Sequence, residues 1–139
     1  MSDDALADDV WRAMAAIVFD NRDTWKREVI EASGLPFSRI RVLRRLAGRP
    51  MTAKEVAESA TMDAPAATVA VNDLEERGLV VREVNPANRR CKVISLTDAG
   101  RDVVAAIAGV EDPAPPAFDA LGDADLRALR DLLAKLAAP

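Results

Sequence analysis

Histidine and tyrosine are absent from this sequence, and Cys91 is its only cysteine. These absences exclude a Ser-His-Asp or Cys-His catalytic arrangement, a zinc site that contains histidine or a CxxC pair, and any disulfide framework. Carboxylates and lysines remain, but they form no paired constellation of the kind that acid–base catalysis needs. We therefore expect a protein that is not an enzyme and that holds no metal and no cofactor.

Aromatic residues are also scarce, at 4% of the 139 residues, whereas 50% of the chain is apolar. This length suits one domain, whose core must be built from Ala, Leu, Val and Ile. No apolar run approaches the length of a membrane span, and the acidic start at 1–4 is not followed by the apolar segment of a secretory signal peptide. Together with the single cysteine, these features predict a cytoplasmic protein with no membrane partner.

The net charge of −4 conceals an uneven distribution of charge along the chain. Residues 37–101 contain 12 basic and 8 acidic residues, whereas the rest of the chain contains 7 basic and 15 acidic ones. A basic segment between acidic flanks is typical of proteins that bind nucleic acid. The middle of the chain is therefore the candidate binding region.

The spacing of apolar residues predicts a mainly α-helical chain. Residues 5–32 carry apolar side chains at three- and four-residue intervals, which predicts one long helix that would bend at the polar stretch 20–23. Gly34 and Pro36 are the stop signals of that helix. Further helices are predicted over 37–48, from Thr97 or Asp98 to Val110, and over 123–137, and the proline-rich residues 111–122 are predicted to form a loop.

Two short helices with clear capping signals are predicted in the middle of the chain. Thr52 and Glu55 have the spacing of a capping box, in which each side chain accepts a hydrogen bond from a backbone N–H at the helix start. Asp63 is a suitable N-cap for the next helix, which Gly78 ends. The short break near 60–62 between the two helices is typical of a helix-turn-helix.

A β-hairpin is predicted directly after these helices. Leu79–Val84 and Cys91–Leu96 have strand character, and Asn85–Asn88 is a cluster of turn-forming residues. Arg89 and Arg90 therefore lie near the tip of the hairpin. A helix-turn-helix followed by such a hairpin is a winged helix-turn-helix, whose second helix fits the major groove and whose hairpin can contact phosphates or the minor groove.

Three segments around this hairpin carry a resemblance to a known family: Leu74–Val80 (LEERGLV), Asn85–Arg90 (NPANRR) and Val93–Gly100 (VISLTDAG). They resemble the wing region of the MarR family of bacterial transcription regulators, and the order of elements extends the resemblance over about 6–110. The resemblance implies a homodimeric winged helix-turn-helix protein, often a repressor that binds a pseudo-palindromic operator. Many members of that family release DNA when they bind small aromatic acids or phenols.

The resemblance also implies which residues contact DNA. Arg89 and Arg90 match the arginines of the family's wing, although Asn85 and Asn88 stand where aspartates are more usual. The predicted contacts are Ala64, Ala66, Thr68, Val69 and Asn72 on the recognition helix, Asn88, Arg89, Arg90 and Lys92 on the wing, and Thr52 and Lys54 for the DNA backbone.

The recognition helix departs from the usual pattern because 64–76 contains no lysine or arginine. Val69 and Asp73 occupy positions where relatives often carry basic residues. Asn72 can pair with adenine, and Ala66 or Val69 can touch the methyl group of thymine. We therefore expect affinity to depend mainly on the wing and on phosphate contacts, with specificity that is modest or read from DNA shape.

Several other features admit more than one interpretation. The four arginines of the second predicted helix (Arg39, Arg41, Arg44 and Arg45) are expected to form ion pairs with the acidic first helix, with phosphate contact or capture of an effector carboxylate as the alternatives. Cys91 is expected to be an inert thiol. An effector pocket is predicted from Trp11, Met14, Phe37 and Arg41, although the same aromatic residues would also suit core or dimer packing.

Dimerisation is expected to use the two ends of the chain, because their apolar faces cannot be buried by these helices alone. The predicted interface residues are Leu6, Val10, Leu126, Leu129, Leu133 and Leu136. The chain is accordingly divided into a dimerisation helix (1–34), a winged helix-turn-helix (35–97) and C-terminal dimerisation helices (98–139). The alternative is a winged-helix dimer with weak DNA affinity that binds mainly small molecules or proteins.

Overall fold

The computed structural model describes residues 3–138 as seven α-helices, one short 3-10 helix and one two-stranded antiparallel sheet. The elements are α1 (Asp3–Asp20), α2 (Asp23–Ser33), α3 (Phe37–Gly48), α4 (Ala53–Ser59), α5 (Ala64–Glu76), β1 (Val80–Asn85), β2 (Asn88–Leu96), α6 (Asp98–Ala108), the 3-10 helix (Pro116–Ala120) and α7 (Asp123–Ala137). This confirms the predicted mainly α winged helix-turn-helix. Met1, Ser2 and Pro139 lie outside the described residues, so the first residues of the acidic start and the outer limits of the two predicted dimerisation units are not covered.

The N-terminal helix is interrupted, so the prediction of one helix over 5–32 is wrong. The interruption falls at Asn21 and Arg22, within the polar stretch where a bend was expected. The side-chain amide of Asn21 donates to the carbonyl of Ile17 at 2.8 Å, while its backbone N–H donates to the carbonyl of Val18 at 3.2 Å. A side chain that bonds the backbone in this way competes with the helical hydrogen bonds, and the helix ends there.

The core is aliphatic and lies between α2, α3, α4, α5, α6 and the hairpin. Ile40, Leu43 and Leu46 of α3 are buried, as their spacing predicts. Trp25 on α2 is the aromatic member of the core, and its ring meets the edge of Phe37 with the centroids 5.9 Å apart. The apolar stripe of the N-terminal segment therefore divides at the break, because α2 turns into the core and α1 leaves it.

The helix-turn-helix begins as its capping signals predict. The hydroxyl oxygen of Thr52 accepts from the N–H of Glu55 at 3.2 Å, and the Glu55 carboxylate accepts from the N–H of Thr52 at 3.1 Å, which completes the capping box. Asp63 caps α5 by accepting from the N–H of Ala66 at 2.8 Å. Both helices therefore start at positions that their own side chains select. The buried residues of α5 are Ala67, Ala70, Val71 and Leu74.

The hairpin has a shorter turn than expected. Strand β2 begins at Asn88, three residues before the predicted start, so that Pro86 and Ala87 alone form the turn. The base of the hairpin is held to the helices, because the backbone of Met51 exchanges hydrogen bonds of 3.1 and 2.7 Å with Ile94 of β2. The wing is thus fixed at its base and projects at its tip.

Gly100 marks the place where α6 packs against the start of the wing. A Cβ atom at Gly100 would lie 2.1 Å from the carbonyl oxygen of Leu79, so only glycine fits without a shift of the backbone. Thr97 joins the same region, since its hydroxyl caps α6 at the N–H of Gly100 and donates to the carbonyl of Gly78 at 2.6 Å. The segment Thr97–Gly100 therefore fixes α6 relative to the wing.

The outer helices present apolar side chains to solvent. None of the described side chains of α1 is buried, and Trp11 keeps 68% of its surface exposed. None of the side chains of α7 is buried either, with Leu126 and Leu129 half-buried and Leu136 72% exposed. The segment 111–122 before α7 is mostly loop, as predicted, but it includes the 3-10 helix, which the three prolines of that segment permit.

Candidate nucleic-acid interface

The turn between α4 and α5 is held by contacts to its backbone. The N–H of Met62 donates to the carbonyl of Ala57 at 2.9 Å, and the guanidinium of Arg41 on α3 donates to the carbonyl of Ala60. Thr61 adopts a positive φ of 55°, which reverses the chain between the two helices. These contacts fix the angle at which α5 leaves α4.

One face of α5 is free for a ligand. The predicted reading residues Ala64, Ala66, Thr68, Val69 and Asn72 are all exposed, and Val69 keeps 58% of its surface exposed. The opposite face supplies the buried alanines and leucine of the core. The structure therefore brings these five predicted residues onto one outer surface.

Asp73, one of the acidic residues of α5, is paired with two arginines. The carboxylate of Asp73 accepts from Nε of Arg39 on α3 at 2.9 Å and from Nε of Arg77 at 3.2 Å. The hydrogen bond from Arg39 is the largest cause that lowers the pKa of Asp73 below its ordinary value; desolvation opposes it, and the weaker hydrogen bond from Arg77 adds to the lowering. The negative charge of Asp73 is thereby compensated by arginines that lie outside the predicted reading positions.

A third arginine contacts α5 from the wing. Arg82 on β1 donates from its guanidinium to the carbonyl oxygen of Asn72, and its Nε lies 3.9 Å from the carboxylate of Glu75. Neither contact was anticipated from the sequence, because both join residues of different elements. The only signal in the sequence was the excess of acidic residues in a helix expected to approach DNA.

The expected ion pairs between the arginines of α3 and the acidic first helix are wrong. Arg39 pairs with Asp73, Arg41 bonds the carbonyl of Ala60, and the guanidinium of Arg44 lies 5.1 Å from the ring centroid of Trp25. The reason is the break after α1, since α3 packs against α2, α4, α5, α6 and β2 instead.

The wing presents its basic residues without compensation. Asn88, Arg89, Arg90 and Lys92 are all exposed. No ion pair in the described range, residues 3–138, involves either wing arginine or Lys92. The cationic tip is therefore available to an anionic partner.

The two asparagines of the wing have a local role. The side-chain oxygen of Asn85 accepts from the N–H of Ala87 at 3.0 Å, and that of Asn88 accepts from the N–H of Arg90 at 3.2 Å. Each stabilises the turn as an aspartate would, but without a negative charge beside the arginines. Cys91 is half-buried, and its sulfur lies 3.5 Å from the amide nitrogen of Asn88.

The start of α4 carries the two residues predicted to contact the DNA backbone. The hydroxyl of Thr52 is half-buried and already accepts the capping hydrogen bond, whereas Lys54 is exposed in the first turn. Glu55 has its pKa lowered, first by the hydrogen bond from the Thr52 backbone and then by that from Arg49. Of the two predicted residues, Lys54 is the one whose charge is free to reach a phosphate.

The four residues predicted to form an effector pocket have separate environments. Trp11 is exposed on α1, Met14 is half-buried there, Phe37 packs against Trp25, and Arg41 bonds the turn after α4. Trp25 instead lies beside two cavities of about 410 and 330 Å³ near the junction of α1 and α2. The smaller one is lined by Arg22, Trp25, Arg44, Ala47, Val104, Ile107, Ala108, Val110 and Asp112.

Charged and aromatic groups meet at this smaller cavity. The guanidinium of Arg22 lies 4.0 Å from the ring centroid of Trp25, and it pairs with the carboxylate of Asp112 in the loop before α7. Arg44 contacts the same ring. Sequence reasoning missed this group, because its members come from α2, α3 and a loop that are distant in the chain.

The described residues contain neither a metal-binding cluster nor a helix that could span a membrane. Within residues 3–138, no cluster of three or more carboxylate or thiol side chains is arranged to hold a metal ion. No helix in that same range combines the length and the apolar character needed to cross a membrane.

Comparison with known proteins agrees with this geometry. The model of the MarR family matches residues 33–90, a range that includes α3, α4, α5, β1 and the start of β2. No curated protein sequence matches the chain.

Solved structures extend the likeness over nearly the whole chain. Wild-type MarR from E. coli, in its apo form, is 19% identical with a TM-score of 0.71, covering 89% of this chain and 94% of that one. A probable transcriptional regulator from Pseudomonas aeruginosa is 26% identical with a TM-score of 0.58, covering 88% and 95%. A mutant of MepR from S. aureus bound to an oligodeoxyribonucleotide is 18% identical with a TM-score of 0.60, covering 91% and 94%.

The family match spans the helix-turn-helix and the first part of the wing, and the solved structures extend the shared fold over about nine-tenths of the chain. The resemblance that the wing motif indicated is thereby confirmed, and the chain has the winged helix-turn-helix fold of the MarR family of transcription regulators.

Proposed function

We propose that this chain is a cytoplasmic transcription regulator, a repressor that binds a pseudo-palindromic operator in double-stranded DNA as a homodimer. The observation that carries the proposal is the pairing of an exposed helix α5 with a wing whose arginines, Arg89 and Arg90, have no acidic partner within residues 3–138. A helix of this size fits the major groove, and cationic side chains on a projecting hairpin suit the phosphate backbone beside it.

Dimer formation is supported by the apolar surface that α1 and α7 expose. Val10, Trp11, Leu132, Leu133 and Leu136 are each at least two-fifths exposed. A soluble chain rarely leaves so many large apolar side chains on two helices, so a second copy is the natural partner. Two-fold symmetry would present two α5 helices to successive turns of DNA, which a pseudo-palindromic operator requires.

Control by a small aromatic acid is the second part of the proposal. The cavity of about 330 Å³ beside Trp25 has an apolar floor from α6 and two guanidinium groups, Arg22 and Arg44, at its rim. A flat carboxylic acid could stack on the apolar floor and pair with a guanidinium. If the ligand prefers a dimer with the wrong spacing of α5 helices, its binding lowers the affinity for DNA by that preference alone.

The proposal is tested with a labelled duplex that carries the DNA upstream of the gene, and with duplexes selected from a library with a randomised centre. Fluorescence anisotropy at two or more salt concentrations compares the wild type with the Arg89→Ala/Arg90→Ala variant. We expect steep loss of wild-type affinity with salt, and a slope about one unit shallower for each phosphate contact that the variant lacks.

A matched control removes the same two charges outside the wing. Lys26 and Arg27 on α2 are exposed, and the Lys26→Ala/Arg27→Ala variant should keep the wild-type affinity and slope. The proposal fails if the wild type selects no duplex and its binding does not depend on salt, or if the control loses as much affinity as the wing variant.

A second candidate function is a winged-helix dimer that binds small molecules or proteins with little affinity for DNA. The observation that favours it is the absence of lysine and arginine from the whole of α5. It differs from the main proposal in two outcomes: binding to DNA would show a flat salt dependence, and the Arg89→Ala change would have no effect.

A further inference from the structure

The contact between Asn72 and Arg82 determines which group of the Asn72 amide faces Arg82. Arginine has hydrogen-bond donors and no acceptor, so the group of Asn72 that meets Arg82 has to be the carbonyl oxygen. The amide nitrogen of Asn72, with its two N–H donors, is then directed away from Arg82. Arg82 also lies beside Glu75, with its Nε 3.9 Å from the carboxylate, but within the described residues that Nε has no hydrogen-bond partner.

The neighbours of Asn72 on the exposed face offer methyl groups. Val69 lies one helical turn before Asn72 and is 58% exposed. Thr68 lies four residues before it, and its hydroxyl proton is used in a hydrogen bond of 3.0 Å to the carbonyl of Ala64. The outward surface at this point therefore combines apolar methyl groups with one amide that donates.

We propose that Asn72 and Val69 read thymine in the major groove, and that Arg82 is the positioning residue that keeps the donor side of Asn72 toward the DNA. This inference rests on the proposed function, since it requires that α5 enter the groove. Thymine offers an O4 acceptor beside its C5-methyl group, which matches an N–H donor beside the methyl groups of Val69.

The other bases fit this surface less well. Cytosine presents an N4 amino group where thymine has O4, so two donors would face each other, and adenine adds an N6 amino group beside its N7 acceptor. Guanine has two acceptors but lacks the methyl group that Val69 would contact. The pairing of Asn72 with adenine that the sequence suggested needs both the oxygen and the amino group of the amide. Because Arg82 already occupies the oxygen, only the amino group remains for a base.

The experiment starts from duplexes selected by the wild type out of a library with a randomised centre. Each thymine of a selected duplex is replaced in turn by uracil, which lacks only the C5-methyl group, and by cytosine. At the thymine read by α5 we expect uracil to weaken binding about fourfold and cytosine to weaken it about five- to 150-fold. Val69→Ala should abolish the effect of uracil and retain most of the effect of cytosine.

Variants of Arg82 separate its positioning role from a merely structural one. Arg82→Met removes the donors at similar length, which frees the amide of Asn72 to rotate, so adenine and cytosine should be accepted almost as well as thymine at that position. Arg82→Lys keeps a partner that can only donate and should preserve the preference for thymine. The readout is a ratio between duplexes for one protein, so a general loss of affinity cancels from it.

The outcomes distinguish this inference from the function on which it depends. If the wild type selects no duplex and binds DNA without salt dependence, the proposed function itself is wrong. If it selects duplexes with salt-dependent affinity, but no thymine position responds to Val69→Ala or to Asn72→Ala, the reading by α5 is refuted. A thymine preference that Arg82→Met leaves unchanged would refute the role of Arg82.

Discussion

Nε of Arg39 lies 2.9 Å from the carboxylate of Asp73, and this ion pair joins α3 to α5, the second helix of the helix-turn-helix. The family resemblance led us to expect a basic residue at the position of Asp73. The charge of Asp73 is compensated by an arginine of the neighbouring helix α3. The same carboxylate also accepts from Arg77 one turn later on α5. The orientation of α5 therefore depends partly on an interaction that responds to pH.

Stability should fall at acid pH in a way that depends on Asp73. Its pKa in the folded chain is lowered from 3.8, with the hydrogen bond from Arg39 as the main cause. A carboxylate with a lowered pKa stabilises the fold above its unfolded value, and this contribution is lost as the pH falls through the folded value. We expect the difference in urea midpoint between wild type and Asp73→Asn to shrink as the pH is lowered below 3.8.

The control for this titration is Asp8→Asn, which removes an exposed carboxylate of α1 that lies outside the helix-turn-helix. A difference between wild type and Asp73→Asn that stays constant across the acid range would contradict the role of the Arg39 pair.

The capping box of α4 can be tested with one matched pair of substitutions. Thr52→Ala removes the side-chain acceptor for the N–H of Glu55, and we expect the free energy of unfolding to fall by about 1 kcal/mol. Thr68→Ala makes the same chemical change on the exposed face of α5, where the hydroxyl bonds a carbonyl within the helix. That variant should stay within about 0.5 kcal/mol of the wild type. Equal losses in urea denaturation would argue against the cap.

Two glycines should respond in opposite ways to alanine. Gly100→Ala brings a Cβ atom to 2.1 Å from the backbone oxygen of Leu79, so α6 or the wing must shift, at a cost near the upper end of roughly 1–3 kcal/mol. Gly48 has open space around it at the end of α3, and Gly48→Ala should be neutral or stabilising by up to about 1 kcal/mol. Thermal or urea unfolding of the two variants measures the contrast, and a stable Gly100→Ala protein would refute the close approach.

The proposed dimer interface is tested by placing charges on α7. We expect Leu133→Asp/Leu136→Asp to convert the dimer to monomer in sedimentation analysis, because burying two carboxylates against a second copy is costly. Val69→Asp/Val84→Asp introduces the same charges at exposed apolar positions of α5 and β1, and it should remain dimeric. Dissociation of both variants, or of neither, would place the interface elsewhere.

The parts of the fold that follow from short-range signals could be predicted from the sequence. The limits of α4 and α5 depend on Thr52, Glu55 and Asp63, which act within one turn of their own positions. The five predicted reading positions on α5 and the arginines of the wing were implied by the family resemblance of the wing motif, and the structure shows that these side chains are exposed. Local hydrogen bonding and side-chain spacing are properties of contiguous residues, so the sequence displays them directly.

The remaining features depend on residues that are distant in the chain. Arg39, Arg44 and Arg82 have partners on other elements. For Arg39, nothing in the local sequence indicates that its partner is Asp73 and not an acidic residue of α1. The break at Asn21 was visible as a polar stretch, but its effect on the direction of the chain was not. The cavity beside Trp25 could not be assembled for the same reason, because three separate segments form it.

The link between Arg22 and Asp112 has a mechanical consequence. Arg22 stands where α1 separates from α2, and Asp112 stands in the loop that leads to α7, so both outer helices leave the winged domain beside one ion pair. Helices attached near a single point act as a lever, in which a small rotation at the pivot becomes a large displacement at the far end. In the proposed dimer, a change in the Arg22–Asp112 ion pair would therefore alter the distance between the two winged domains.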